Sequence, residues 1–234
     1  MKTMILASTS TIYGSSYLEY LLESLEILYQ NSNEIVFIPF ARPSGITFEE
    51  YTGIVSKAFK RLGKNVKGIT KLENTQKQIN DAEGIFVGGG NTFLLVNTLY
   101  QTNSMGLLRN RVVNGIPYLG TSAGSNIAGL TMKTTNDMPI IHPPSFKTMG
   151  LIPFNINAHY IDPEPNSKHM GETRETRIKE FHQFNTPPVL GLREGSWLEI
   201  KKDKITLRGN LSARVFEKDK LPYEIATNQP VIIK

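Results

Sequence analysis

Apolar positions recur along this chain in two alternating rhythms. Short β-rich runs such as "TMILAST" and "NEIVFIPFA" are bounded by turn signals and predict buried strands. Between them, "SSYLEYLLESLEILYQNS" sets Leu18, Leu21, Leu22, Leu25 and Leu28 at helical spacing. A second helix is predicted over "TFEEYTGIVSKAFKRLG", with Thr47 as its cap and Gly63 as its end. "VKGIT" reads as a strand, "NTQKQINDA" as a short helix and "GIFVGGG" as a strand running into three glycines. "NTFLLVNTLYQ" and "MGLLRNRVVNG" read as helices, and "IPYLG" as the next strand. Strands that alternate with helices in this way predict an α/β fold, a mostly parallel, doubly wound sheet with helices on both faces. Beyond about residue 130 the rhythm loosens. "TRETRIKEFHQF" predicts a helix, and "VLGLREGSWLEIKKDKITLRG" predicts strands turning at Lys202-Asp203. With no repeat and no break in composition, residues 1–234 are expected to form one domain.

Composition narrows the classes. The 234 residues include no cysteine, which excludes disulfides, thiolate zinc sites and cysteine nucleophiles. The net charge of +5 is spread over lysines with acidic or polar neighbours, so a nucleic-acid partner is not expected. No apolar window approaches the roughly 20 residues of a membrane span, and the N-terminal run is too short and polar for a signal peptide. A cytoplasmic protein without a membrane partner is the expectation.

Candidate chemistry concentrates at strand ends. In "IPYLGTSAGSNIAGL" an apolar strand runs into Gly120-Thr121-Ser122-Ala123-Gly124. This is the G-x-S-x-G pattern, in which a serine stands exposed on a sharp strand-to-helix turn and glycines allow close approach of the two elements. A tight packing turn would read the same way. Upstream, Gly88, Gly89 and Gly90 end a strand without the lysine of a phosphate loop or the spacing of a dinucleotide loop. They suit the second half of an oxyanion hole, with one N–H from Ala123 and one from Gly89 or Gly90. A serine nucleophile needs a base. Of the four histidines, His159 ends an apolar run in "IPFNINAHYIDPEP", with His142 as its competitor. His182, late in a helix, is expected at the surface, and His169 in a polar loop. For the orienting carboxylate, Glu194 in "GLREGSW" and Asp137 in "TTNDMPI" are rivals.

"FVGGGNTF", "GTSAGSNIA", "TTNDMPI", "GETRETRI" and "LREGSW" resemble, in order, segments of the peptidase E (α-aspartyl dipeptidase) family, serine peptidases that also include cyanophycinase. The resemblance runs from the first strand to about residue 217. It implies a class I glutamine amidotransferase-like (flavodoxin-like) sandwich and hydrolysis of dipeptides with an N-terminal aspartate, with no metal and no cofactor. Carried over by motif, the nucleophile falls on Ser122, the base on His159 and the third member on Glu194. This order differs from that of α/β-hydrolases. The resemblance also places Asp137 on a functionally sensitive family position, expected near the substrate or supporting the site rather than as the triad acid. For the aspartate side chain the family-like segment offers Arg174 and Arg177, of which Arg174 is nearer the loop, because a guanidinium pairs with a carboxylate through two bonds. Asp137 or Glu172 would take the α-amino group. The loop "YIDPEPNSKHM" is slightly longer than the family form and is expected to shape the substrate entrance; "SNIAG" and "IIHPP" also depart from it. Alternatives are a cyanophycinase-like β-aspartyl peptidase and a non-catalytic small-molecule binding module. The expected partner is a small peptide, and the chain a monomer or homodimer.

Overall fold

A computed structural model describes every residue except Pro165, Ser167, His169 and Lys234. The expectation for His169 therefore lies outside the described residues. The strands are β1 (Thr3–Ala7), β2 (Glu34–Ile38), β3 (Asn65–Gly68), β4 (Gly84–Val87), β5 (Tyr118–Thr121), β6 (Asn155–Ala158), β7 (Val189–Leu192), β8 (Ser196–Lys201), β9 (Lys204–Gly209), β10 (Ala213–Phe216) and β11 (Tyr223–Ile225). The helices are α1 (Leu22–Leu28), α2 (Phe48–Lys60), α3 (Thr75–Asp81), α4 (Thr92–Gln101), α5 (Met105–Val113), α6 (Ala123–Asn126) and α7 (Arg174–Phe184).

Seven strands form one sheet in the order β3-β2-β4-β5-β1-β8-β9. The first five run parallel, and β8 and β9 add antiparallel. Alternation along each strand divides its side chains between the faces. Ile5, Phe37, Phe86 and Leu119 pack with residues of α1 and α2, including Leu25, Tyr51, Val55 and Phe59. Met4, Leu6, Ile38, Val87 and Tyr118 face the other way, against α3 to α6. Helices thus cover both faces, as the alternating pattern predicts.

The second sheet is a finding beyond that pattern. Strands β11-β10-β7-β6 form a four-stranded sheet, with β6 parallel to β7 and the others antiparallel. Ile156, Leu190, Leu192 and Val215 join the same apolar cluster as Met4, Leu6 and Leu198, so the two sheets meet through a shared core. Two-residue periodicity marks strands but not which sheet they join, because register is set by partners distant in sequence.

Local chemistry explains several ends. The hydroxyl of Thr47 accepts from the N–H of Glu50 at 3.1 Å, while the Glu50 carboxylate accepts from the N–H of Thr47 at 2.7 Å, a reciprocal cap. Gly63 has φ of +66° beyond the last turn of α2. The first helix is shorter than its leucine spacing predicts. Leu18 sits at φ +58°, and the chain makes a single 3-10 turn over Glu19–Leu21 before α1 begins at Leu22. The turn at Lys202 is where expected, with φ of +60°. Among the described residues, no helix is long and apolar enough to cross a membrane.

Candidate active site

β5 ends at Thr121, and Ser122 follows at φ 52°, ψ −111°, a conformation few residues with a side chain adopt. Its surroundings hold it there. The Ser122 N–H donates to the Ala7 carbonyl at 3.0 Å, and its carbonyl accepts from the N–H groups of Ser125 and Asn126, both at 2.9 Å. The hydroxyl of Ser125 reaches the carbonyls of Ala7 at 2.7 Å and Gly120 at 2.8 Å, binding the elbow to β1. The flanking glycines are dictated by proximity. A Cβ on Gly124 would lie 2.2 Å from the Val87 carbonyl oxygen, and one on Gly120 2.5 Å from that of Gly124. The helix that follows has only four residues, Ala123–Asn126. The anion-binding capacity at its start is therefore that of individual N–H groups rather than of a long dipole.

Gly89 lies against the serine: a Cβ there would be 3.0 Å from the Ser122 Cβ and 3.5 Å from its Oγ. Gly90, at φ +142°, sits where any side chain would strike the Ala41 carbonyl, at 2.2 Å. Among the described residues, the N–H groups of Gly89, Gly90 and Ala123 have no protein acceptor, whereas those of their neighbours Gly88 and Asn91 are taken by Ile38 and Ala41.

His159 follows β6 at φ 55°. Its Nε2 stands 2.9 Å from the Ser122 Oγ and its Nδ1 2.6 Å from Glu194 Oε1. Glu194 follows β7, so the histidine and the carboxylate come from adjacent parallel strands of the small sheet and the serine from the large one. Ser8, just beyond β1, joins them. Its buried hydroxyl accepts from the His159 N–H at 2.8 Å and donates to the Leu192 carbonyl at 2.7 Å. Neither Ser8 nor Ser125 belongs to a sequence pattern that would have singled it out.

The rivals lie elsewhere. His142 is exposed, with its ring edge toward Phe146 at 5.9 Å between centroids. Asp137 does not touch His159; its Oδ2 accepts from the Thr92 N–H at 2.7 Å and the Thr135 hydroxyl at 2.8 Å, closing the start of α4. His182 is buried, contrary to expectation, because the inner face of α7 packs inward and its Nε2 lies 3.1 Å from the Pro187 carbonyl.

A cleft of about 460 Å³ opens beside these groups, lined by Asn136, Asp162, Glu172, Arg174 and Arg177 among others. Ser122 and His159 are not part of its wall. Arg174 connects the two regions: burial and the neighbouring Arg177 lower its pKa, while the fields of Asp137 and Glu194 raise it. Arg174 has no hydrogen-bond or ion-pair partner among the described residues, and Glu172 is exposed. Ile161, Asp162, Pro163 and Glu164 of the long loop line this cleft. It is tied down from beneath. Arg193 makes two 2.7 Å bonds to Asp162 and two more to Glu224, at 2.9 and 3.0 Å. Arg214 extends the network to Glu175 of α7 at 3.1 Å. Among the described residues, no group of three or more histidine or acidic side chains could hold a metal ion.

Fold and site together define an α/β protein with a serine–histidine–carboxylate chain assembled where two sheets meet. The chain belongs to peptidase family S51, whose profile matches residues 4–208. It is 44% identical over 223 residues to peptidase E of Streptomyces coelicolor, covering 95% of this chain and 90% of that one. It is 40% identical over 228 residues to a protein of Drosophila melanogaster named "Probable alpha-aspartyl dipeptidase", covering 96% and 94%. The crystal structure of a peptidase from an acI-B1 actinobacterium matches its fold with a TM-score of 0.73 at 16% identity, over 100% of this chain and 97% of that one.

Proposed function

We propose that the chain is a serine dipeptidase that cleaves after an N-terminal aspartate, with Ser122 as nucleophile, His159 as base and Glu194 as the group that orients it. The observation that carries this reading is the unbroken hydrogen-bond chain from Glu194 Oε1 through both ring nitrogens of His159 to Ser122 Oγ, at 2.6 and 2.9 Å. The imidazole takes the hydroxyl proton as Oγ bonds to the peptide carbonyl carbon. The Glu194 carboxylate accepts from Nδ1–H and stabilises the imidazolium. The developing oxyanion is met by the uncommitted N–H groups of Ala123 and of Gly89 or Gly90. His159 returns the proton to the leaving nitrogen, the C–N bond breaks, and an aspartyl ester on Ser122 remains. Water, deprotonated by His159, then hydrolyses that ester.

Specificity follows from charge. Arg174, half-buried and unpaired among the described residues, suits the substrate's β-carboxylate. Glu172, exposed on the same cleft and without a partner among the described residues, suits the α-ammonium, whereas Asp137 is engaged at the start of α4. The test is hydrolysis of Asp-Leu beside Asn-Leu, Glu-Leu, Ala-Leu and β-Asp-Arg, with Ser122→Ala as control. Cleavage of Asp-Leu alone, abolished in the variant, supports the reading. Activity that survives Ser122→Ala overturns the mechanism, and preference for the β-linked substrate overturns the specificity.

A further inference from the structure

Arg42 stands at the same edge of the large sheet as Ser122 and plays no part in the chemistry above. It follows β2 by four residues, and the residue before it, Ala41, lies against Gly90: the Ala41 carbonyl accepts from Asn91 at 2.7 Å. The Arg42 guanidinium lies over the ring of Tyr51, 4.8 Å from its centroid. The Tyr51 hydroxyl in turn reaches the Gly89 carbonyl at 3.4 Å, and Gly89 is in contact with Ser122. The hydroxyl of Tyr17 adds to this group, 3.3 Å from that of Tyr51.

Two features separate Arg42 from an ordinary surface arginine. It makes no ion pair among the described residues, whereas Arg61, Arg193, Arg208 and Arg214 each make at least one. Its Nε is shielded from solvent and finds no acceptor among those residues. Shielded guanidinium nitrogens are ordinarily hydrogen-bonded, so this guanidinium is not satisfied by the protein's own described groups, and its two outer nitrogens are the ones a ligand can reach. The aromatic face beneath fixes the plane of the guanidinium and leaves its edge available for a planar, two-oxygen partner.

Position identifies that partner. Arg174 lies on α7, on the side of the large sheet where the small sheet packs, whereas Tyr51, which carries Arg42, belongs to the α1–α2 side. Ser122 stands between these two sides. A dipeptide spans only about 7 Å when extended. With its β-carboxylate toward Arg174 and its scissile carbonyl at Ser122, its other anion, the free C-terminal carboxylate, points toward the α1–α2 side. We infer that Arg42 binds the C-terminal carboxylate of the leaving residue, with the Tyr17 and Tyr51 hydroxyls beside it, and that this contact restricts the enzyme to substrates two residues long. The inference rests on the dipeptidase reading.

The test compares kcat/KM for Asp-Leu with that for its carboxamide, Asp-Leu-NH2, in the wild type, Arg42→Met and Arg42→Lys. Both substrates are read on the same preparation, so any loss of folded enzyme cancels in their ratio. The wild type should favour the free acid by about 10- to 100-fold, the range of a hydrogen-bonded charge pair. Arg42→Met should bring the ratio to near one. Arg42→Lys, which keeps the charge without the two-pronged edge, should fall between. A ratio in Arg42→Met within twofold of the wild-type ratio overturns the assignment while leaving the dipeptidase reading intact. If the wild type cleaves neither compound, nor Asp-coumarylamide, the dipeptidase reading fails and the assignment falls with it.

Discussion

Ser8→Ala isolates what holds His159, the proposed base, in place. The buried hydroxyl of Ser8 makes two bonds, a part-buried one from the His159 N–H at 2.8 Å and a buried one to the Leu192 carbonyl at 2.7 Å. Their loss is unequal. The Leu192 carbonyl keeps the N–H of Tyr160 at 3.1 Å, while no other acceptor for the His159 N–H is found among the described residues. One orphaned buried donor costs about 1–3 kcal/mol. For a chain of this size that is a fall in Tm of about 2–12 °C. The catalytic consequence is larger in proportion, because His159 is held at φ 55°, a conformation that persists only while its surroundings enforce it. A shift of about 1 Å in the imidazole costs on the order of 100-fold in rate. Steady-state hydrolysis of Asp-Leu should therefore show kcat reduced by about 10- to 100-fold with KM nearly unchanged, since Ser8 is not among the residues lining the cleft. A lowered Tm with kcat within twofold of wild type would refute the reasoning: the hydroxyl would then stabilise the fold without orienting the base.

Three further outcomes follow from the same geometry. Gly89→Ala places a methyl 3.0 Å from the Ser122 Cβ and 3.3 Å from the Thr121 carbonyl, and should cut kcat/KM by more than about 100-fold, with circular dichroism preserved. Asp137→Ala removes the acceptor of the Thr92 N–H and should cost about 0.5–2 kcal/mol, seen as a lower urea midpoint, whereas Asp137→Asn should recover most of it. For Glu224, burial raises the pKa but hydrogen bonds from Arg193, Ser212 and Arg214 outweigh it and bring it down to about 2. A depressed carboxylate contributes stability that is complete above its unfolded pKa, about 4.3, and is lost as pH falls toward 2. Glu224→Gln should flatten the fall in Tm across that window; an unchanged acid profile would exclude the network as its source.

Much of this architecture was legible in the pattern of residues. Four of the five parallel strands announce themselves as buried, largely apolar runs closed by turn signals, whereas β3, Asn-Val-Lys-Gly, is half exposed; Thr47 and Gly63 mark their helix ends through chemistry local to the chain. Ser122 was legible because the elbow requires glycines on both sides, at 120 and 124. His159 and Glu194 could be narrowed to pairs of rivals, but not chosen without the family resemblance. What chooses between Glu194 and Asp137 is the parallel pairing of β6 with β7, a contact between segments some 34 residues apart. The burial of His182 was illegible for a similar reason. A helix with charged residues on several sides gives no strong apolar stripe, and which face turns inward depends on the sheet beneath it. Ser8 and Arg42 carry no local signal at all; each matters through what the fold brings beside it.

The 2.9 Å contact between His159 and Ser122 joins two separately hydrogen-bonded sheets, so it gauges how those sheets are seated on one another. Backbone bonds within either sheet can remain intact while a slip of one over the other breaks that contact. Turnover is then the earliest casualty of any stress that loosens the shared apolar core, such as mild denaturant or pressure. Under increasing urea, hydrolysis should fade while far-ultraviolet ellipticity still reports a full complement of strands and helices, which makes the enzyme's own reaction a strain gauge for the seam between its layers.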